Sequence, residues 1–222
     1  MKTTKVTFSV ITLVIFSIVA YAQTGTTPVG AQAVDLGLPS GTKWANINIG
    51  ADKPEDYGLF FAWGETIGYG SNTSDNKLFS FENYKHGPAA NKITKYDSTD
   101  GKITLDDTDD AARVNWGGKW RMPTYKEFYE LLQNTTSEWT TINGINGYKF
   151  TSKKNNNFIF LPASGNRRSS NLNKQNEFGY YWSSSLSLAM PINARKLQFS
   201  SAGVSGGLDG ARFIGYSIRP VQ

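Results

Sequence analysis

Cysteine is absent from the 222 residues, and histidine occurs once, at His86. The first absence excludes disulfides, a thiol nucleophile and a cysteine-based zinc site. The second excludes a two-histidine metal site and leaves any Ser-His-Asp triad dependent on His86. That residue stands in Lys85-His86-Gly87-Pro88, a turn sequence, and is expected to be an exposed loop histidine. Long apolar runs are also missing beyond the first 22 residues, so no later segment reaches the ~20 apolar residues that span a bilayer. Basic residues are not gathered into a stripe. Pairs such as Lys153-Lys154 and Arg167-Arg168 are scattered, which argues for a solvated surface and against nucleic acid as partner.

Aromatic residues are plentiful, with 6 Trp, 11 Tyr and 13 Phe, and supply the apolar area that a disulfide-free domain must bury. Residues 1–22 have the layout of a secretory signal. Lys2 and Lys5 form the basic start, Val10 to Val19 the apolar stretch, and Ala20-Tyr21-Ala22 a small-x-small cleavage site. Gln23 would then lead the mature chain, and the formal charge would fall from +5 to +3. The signal holds no cysteine for lipid attachment. About 200 remaining residues suffice for one domain with its own core.

Residues 23–33 are small and polar and are expected to be a flexible leader, with order beginning near Val34. Lys43 to Gly50 alternates in strand period, and Tyr57 to Gly64 is a second, more apolar strand candidate. Residues 66–104 are mostly polar and read as a long excursion outside the core. Two helices follow. One begins near Thr108-Asp109-Asp110 and ends at Gly117-Gly118. The other is opened by the capping box Thr124-Tyr125-Lys126-Glu127, with Tyr125, Phe128, Tyr129 and Leu132 on one face. A hairpin is expected from Gly147–Ser152 to Asn157–Pro162, and further strands at Tyr180–Ser185, Arg195–Ser200 and Tyr216–Val221. In the strand around Leu197 and Phe199 those two side chains point to one side, and Lys196, Gln198 and Ser200 to the polar side. Two helices amid short antiparallel strands make an α+β domain over 34–222.

Several segments follow one another along 34–222: Val34-Asp35-Leu36-Gly37-Leu38-Pro39-Ser40-Gly41-Thr42-Lys43-Trp44-Ala45, Phe61-Ala62-Trp63-Gly64-Glu65, Asp110-Ala111-Ala112, Trp116-Gly117-Gly118-Lys119-Trp120-Arg121-Met122-Pro123-Thr124, Tyr181-Trp182-Ser183-Ser184 and Arg219-Pro220-Val221. Together they resemble the Fibrobacter succinogenes major paralogous (FISUMP) domain family of exported bacterial proteins. The resemblance implies a C-type-lectin-like fold, with two helices packed on short antiparallel sheets and the chain ends close together. It brings no catalytic residues. Formylglycine-generating enzymes share that fold class but need cysteines. The terminal segment also resembles the variable region of ligand-binding proteins diversified by retroelements.

The acidic run Asp106-Asp107-Thr108-Asp109-Asp110 has the oxygen ligands calcium takes, yet lacks alternating spacing and a turn glycine. Capping of the first helix accounts for it, and no metal or other cofactor is expected. The Glu-Pro-Asn and Trp-Asn-Asp motifs of calcium-dependent sugar-binding lectins are absent. Asp56 and Glu65 are the carboxylates that would flank a glycosidic bond, but surface or structural roles are expected of them. Trp44, Trp63, Trp116 and Trp120 are expected in the core. No enzyme is expected. The expected function is an exported binding module for a glycan or a surface protein, with Trp182, Asn193, Arg195, Gln198, Leu208, Asp209, Arg212, Phe213 and Tyr216 as contacts. The alternative is a structural or assembly component of the cell envelope.

Overall fold

A computed structural model describes residues 25–97 and 99–222, and the expected signal at 1–22 lies outside the described residues. Helix α1 (Ala111–Trp116) starts where the Asp110 carboxylate accepts from the amides of Ala112 and Arg113, and it ends at Gly117. Helix α2 (Tyr125–Asn134) has the expected capping box between Thr124 and Glu127. Glu127 also holds Arg121 at 2.5 and 2.8 Å. The buried stripe of α2 is Phe128 and Leu131, while Tyr129, expected on that stripe, is 45% exposed.

Strands β1 (Ala33–Val34) and β2 (Trp44–Ala45) pair with each other. Strands β3 (Thr135–Ile142), β4 (Ile145–Ser152) and β5 (Phe158–Pro162) form one antiparallel sheet in that order. β5 completes the expected hairpin. β3 was not expected, although its β-branched run and the following Asn143-Gly144 are a hairpin signature. Short strands β6 (Asn166–Arg168) and β7 (Asn171–Asn173) pair next. The second large sheet is β8 (Phe178–Leu186), β9 (Asn193–Ser200) and β10 (Gly203–Ala211), with β9 in the middle. β10 was not among the expected strands. A register shift between Ser205 and Leu208, with Gly207 at φ 71°, lets this glycine-rich stretch stay paired. The molecule is thus α+β, with two short helices set among small antiparallel sheets.

The strands expected at Lys43–Gly50, Tyr57–Gly64 and Tyr216–Val221 are reduced to β2 and single bridges. Phe61 bridges Tyr216, Ser217 bridges Tyr181, and Val221 bridges both Trp44 and Arg121. These segments thread through the core, tied by backbone bonds such as Lys43 N to Gln222 O, Ala45 N to Pro220 O and Ile49 N to Ile218 O at 2.8–3.1 Å, and by buried side chains. Arg219 is fully buried and donates to Asn48 Oδ1, Ala45 O and Phe160 O at 2.8–3.0 Å.

The expected leader is not separate from the domain over its described part. Thr27 donates to Trp116 O at 3.1 Å, Gln32 N to Asn46 Oδ1 at 2.7 Å, and Ala33 pairs with Ala45. The expected excursion at 66–104 is likewise corrected. Phe79, Tyr84, His86 and Tyr96 from it are all buried, because polar sequence around them supplies turns that bring single aromatic anchors inward. Two core clusters lie on opposite sides of the β8–β9–β10 sheet. Trp182 and Tyr216 belong to one, with Trp63, Trp116 and Trp120. Tyr181, Leu197 and Phe199 belong to the other, with Phe128 and Leu131 of α2.

Candidate binding face

Alternation along β8 and β9 sorts their side chains to two faces. Tyr181, Leu197 and Phe199 turn to α2. The opposite face carries Phe178, Tyr180 and Trp182 from β8, paired across β9 with Ser200, Gln198 and Lys196, and Lys196 is paired in turn with Leu208 of β10. Tyr216, from the segment after β10, lies on this second face with its ring 4.4 Å from Trp182 and 5.2 Å from Tyr180. Phe178 and Tyr180 stack at 5.8 Å, their planes 8° apart. The result is a row of four aromatic rings along one sheet face. Gly210 is required beneath it, since a Cβ there would stand within 3.1 Å of Tyr216, Trp182 and Lys196 together.

The row is buried at the Trp182 end and opens toward Phe178, Tyr180, Gln198 and Leu208, the last 41% exposed. Lys196 lies within it, only 5% exposed. Its ammonium is 5.1 Å from the Tyr180 ring centre and 5.8 Å from that of Tyr216, and it donates to Gln198 Oε1. Burial lowers the Lys196 pKa to about 8, with the Asp209 charge acting against that shift. Burial raises both phenols, Tyr180 with help from Glu177, and Tyr216 against the pull of Arg168. Arg168 itself lies over the half-buried ring of Phe213, which packs on Phe81 at 4.4 Å.

The nine expected contacts therefore do not form one surface. Gln198, Leu208 and the edge of Tyr216 share the aromatic face, and Phe213 lies near it beside Arg168. Arg195 and Asp209 are paired residues on neighbouring strands, on the side of β9 that carries Leu197. Arg195 Nη1 is 3.0 Å from Asp209 Oδ1 but donates its hydrogen bond to Gly207 O at 2.8 Å, while Ser187 donates to Asp209 Oδ2 at 2.9 Å. Asn193 closes the β9 end, its amide 3.8 Å from Met190 Sδ.

Three contacts are corrected outright. Trp182 is fully buried and donates to Phe61 O at 2.9 Å. Tyr216 is 5% exposed. Arg212 is fully buried, donating to Tyr84 Oη, Tyr96 O, Pro191 O and Lys95 O, with its guanidinium 4.8 Å from the Trp63 ring centre. With four of its five N–H donors used and no exposed surface, this guanidinium ties the 84–96 segment to the chain after β10 and is not presented to a ligand. The expectation of a surface Lys196 is also corrected, because the ring of Tyr216 covers its alternating position. Phe178, Tyr180 and Lys196 were missed as site residues. Their i, i+2 spacing opposite Gln198 was the available signal.

The remaining chemical candidates have structural occupations. His86 is buried, contrary to expectation, with Nε2 3.1 Å from Gly64 O and its ring edge-on to Tyr84 and Tyr96. Burial lowers its pKa, opposed by the Gly64 hydrogen bond and the Asp109 charge. The acidic run is divided. Asp110 caps α1 and also accepts from Met122 N at 2.9 and 3.1 Å. Asp109 accepts from Lys85, Lys95 and Tyr96 at 2.6–2.7 Å, and these bonds overcome burial to hold its pKa well below the usual carboxylate range. Among the described residues no three His, Asp or Glu side chains are placed to hold a metal ion.

Asp56 accepts from the amides of Asp52 and Lys53 in a turn. Glu65 pairs with Lys77 at 2.7 Å on the wall of a shallow groove of about 350 Å³ lined also by Tyr69, Asn83 and Lys85. The two carboxylates serve separate local structures. Gly203-Val204-Ser205-Gly206-Gly207 has the spacing of a nucleophile elbow, but Ser205 pairs with Gln198 within a sheet and no helix follows it. Comparison with family models, with curated proteins and with solved structures returns no match.

Proposed function

We propose that this chain is an exported, non-catalytic binding module with a C-type-lectin-like domain, which holds a glycan or protein ligand at the bacterial cell surface. The observation that carries the proposal is the half-open pair Phe178 and Tyr180 with the Gln198 amide beside it, backed from beneath by the buried Tyr216 ring and Lys196 ammonium. Tyrosines offer large, stiff contact area and a hydroxyl at low entropic cost, which is the chemistry of recognition surfaces. These groups stand on paired strands, which position side chains more precisely than loops do. The lectin-like reading is supported by two short helices among small antiparallel sheets and by Lys43 N donating to Gln222 O at 2.8 Å, which brings the two ends of the 34–222 domain together. Among the described residues no helix is long and apolar enough to cross a membrane.

The test is a glycan-array and surface-protein screen of the purified protein, followed by affinity measurement on variants. The double variant Tyr180→Ala/Gln198→Ala is expected to lose affinity at least tenfold, and Arg195→Ala, on the other side of β9, to keep it. Undiminished affinity in the double variant would place the ligand elsewhere. Turnover of any ligand found would remove the non-catalytic reading.

A further inference from the structure

Most sheet edges in this molecule are shielded. The free side of β8 is occupied, with Gly165 N donating to Phe178 O, Trp182 N to Ser217 O, Ser184 N to Pro123 O and Leu186 N to Ile103 O. On β5, the carbonyls of Phe160 and Pro162 accept from Arg219 and Tyr181. β10 is interrupted by its register shift and approached there by Tyr129 of α2. The outer edge of β3 differs. Its eight residues run in unbroken register with β4, from Thr135 opposite Ser152 to Ile142 opposite Ile145, and no described residue pairs with its other side. It contains no proline, no lysine and no bulge, and Glu138 is its single charge. A straight edge without those guards is a template for another strand.

The two-residue turn Asn143-Gly144 makes Ile142 and Ile145 a hydrogen-bonded pair, and alternation then aims the N–H and C=O of Ser137, Trp139 and Thr141 outward. We propose that this edge pairs antiparallel with the same edge of a second copy of the chain, about a two-fold axis at Trp139. That register sets Ser137 opposite the second copy's Thr141 and Glu138 opposite the second copy's Thr140, so no like charges meet. The outward groups of Ser137, Trp139 and Thr141 are then all used. Centring on Ser137 would run the pairing into α2, and centring on Thr141 into the Asn143-Gly144 turn. The axis also places Trp139 against its own counterpart, covering the part of the half-buried ring that Tyr148 at 5.8 Å and Phe199 at 6.4 Å leave open.

Sedimentation equilibrium of the purified protein over a concentration series tests the pairing. A reversible dimer is expected. Thr141→Pro, which deletes an outward N–H and spares the β3–β4 backbone bonds while removing the exposed bond from Thr141 Oγ1 to Asn146 Oδ1, is expected to weaken it at least tenfold while leaving the monomer's melting temperature within a few degrees. The register is tested without proline, since the chain has no native cysteine. A mixture of Glu138→Cys and Thr140→Cys proteins is expected to form an oxidised cross-link that neither forms alone. A monomer at every concentration overturns the proposal. So does a dimer indifferent to Thr141→Pro, or cross-linking of either cysteine variant alone.

Discussion

The two faces of the β8–β9–β10 sheet are built from alternate residues of the same strands, yet they are held by different physics. The face toward α2 is closed by Leu197, Phe199 and Tyr181 against Phe128 and Leu131, all fully buried and apolar apart from one hydroxyl. The other face mixes rings with an ammonium, and it grades from the fully buried Trp182 to the half-open Phe178 and Tyr180. Packing alone accounts for the first. On the second, the desolvation cost of Lys196 is offset in part by its bond to Gln198 Oε1 and by the Tyr180 and Tyr216 rings, with no ion pair to it among the described residues.

The largest expected effect lies on the closed face. Phe199→Ala is expected to cost ~3–5 kcal/mol of unfolding free energy in denaturant titration, through lost burial and a cavity. Tyr180→Ala, on the open face, is expected to cost less than half of that. Equal losses would abolish the distinction between the faces.

Next in size is Lys196→Met, which replaces a buried charge by an apolar side chain of similar length. The folded pKa of about 8 lies below the ordinary 10.5, so between those values the unfolded chain binds the extra proton. The burden of Lys196 is therefore fully present below pH 8 and is relieved as pH rises toward 10.5. The variant is expected to be more stable than the parent by ~1–3 kcal/mol at pH 7 and to converge with it by pH 10.5. A constant difference across that range would mean the ammonium is solvated.

Thr124→Ala removes the N-cap hydroxyl of α2 and is expected to cost ~1 kcal/mol. Because α2 backs only the closed face, ligand affinity should be unchanged, and a parallel loss of affinity would show that the faces are coupled. Gln198→Ala, which takes the side-chain acceptor from the buried Lys196 ammonium, is expected to cost a similar ~1 kcal/mol, with its larger effect on binding.

Both helices were legible in the sequence because their signals are local. Asp110 and Thr124 cap amides within three residues of themselves, and Gly117 ends α1 by its own backbone freedom. The hairpin of β4 and β5 was legible from two apolar runs around a polar turn. β10 was not, because glycine and serine have weak strand preference and their pairing with β9 is a long-range fact. Arg212 and Lys196 were misplaced for a related reason: charge predicts exposure until a distant residue supplies partners or cover.

By itself the sequence determined the absence of cysteine chemistry, the alternation that divides Leu197 and Phe199 from Lys196 and Gln198, and the two capped helices. Each follows from composition or from residues a few positions apart. Only the tertiary structure decided which polar residues stay on the surface. Tyr216 covers Lys196, and carbonyls of Lys95, Tyr96 and Pro191 enclose Arg212. Burial is set by neighbours brought from far along the chain, 117 residues for Lys95 O on Arg212 and 174 for Ala45 O on Arg219. No local preference encodes such a meeting.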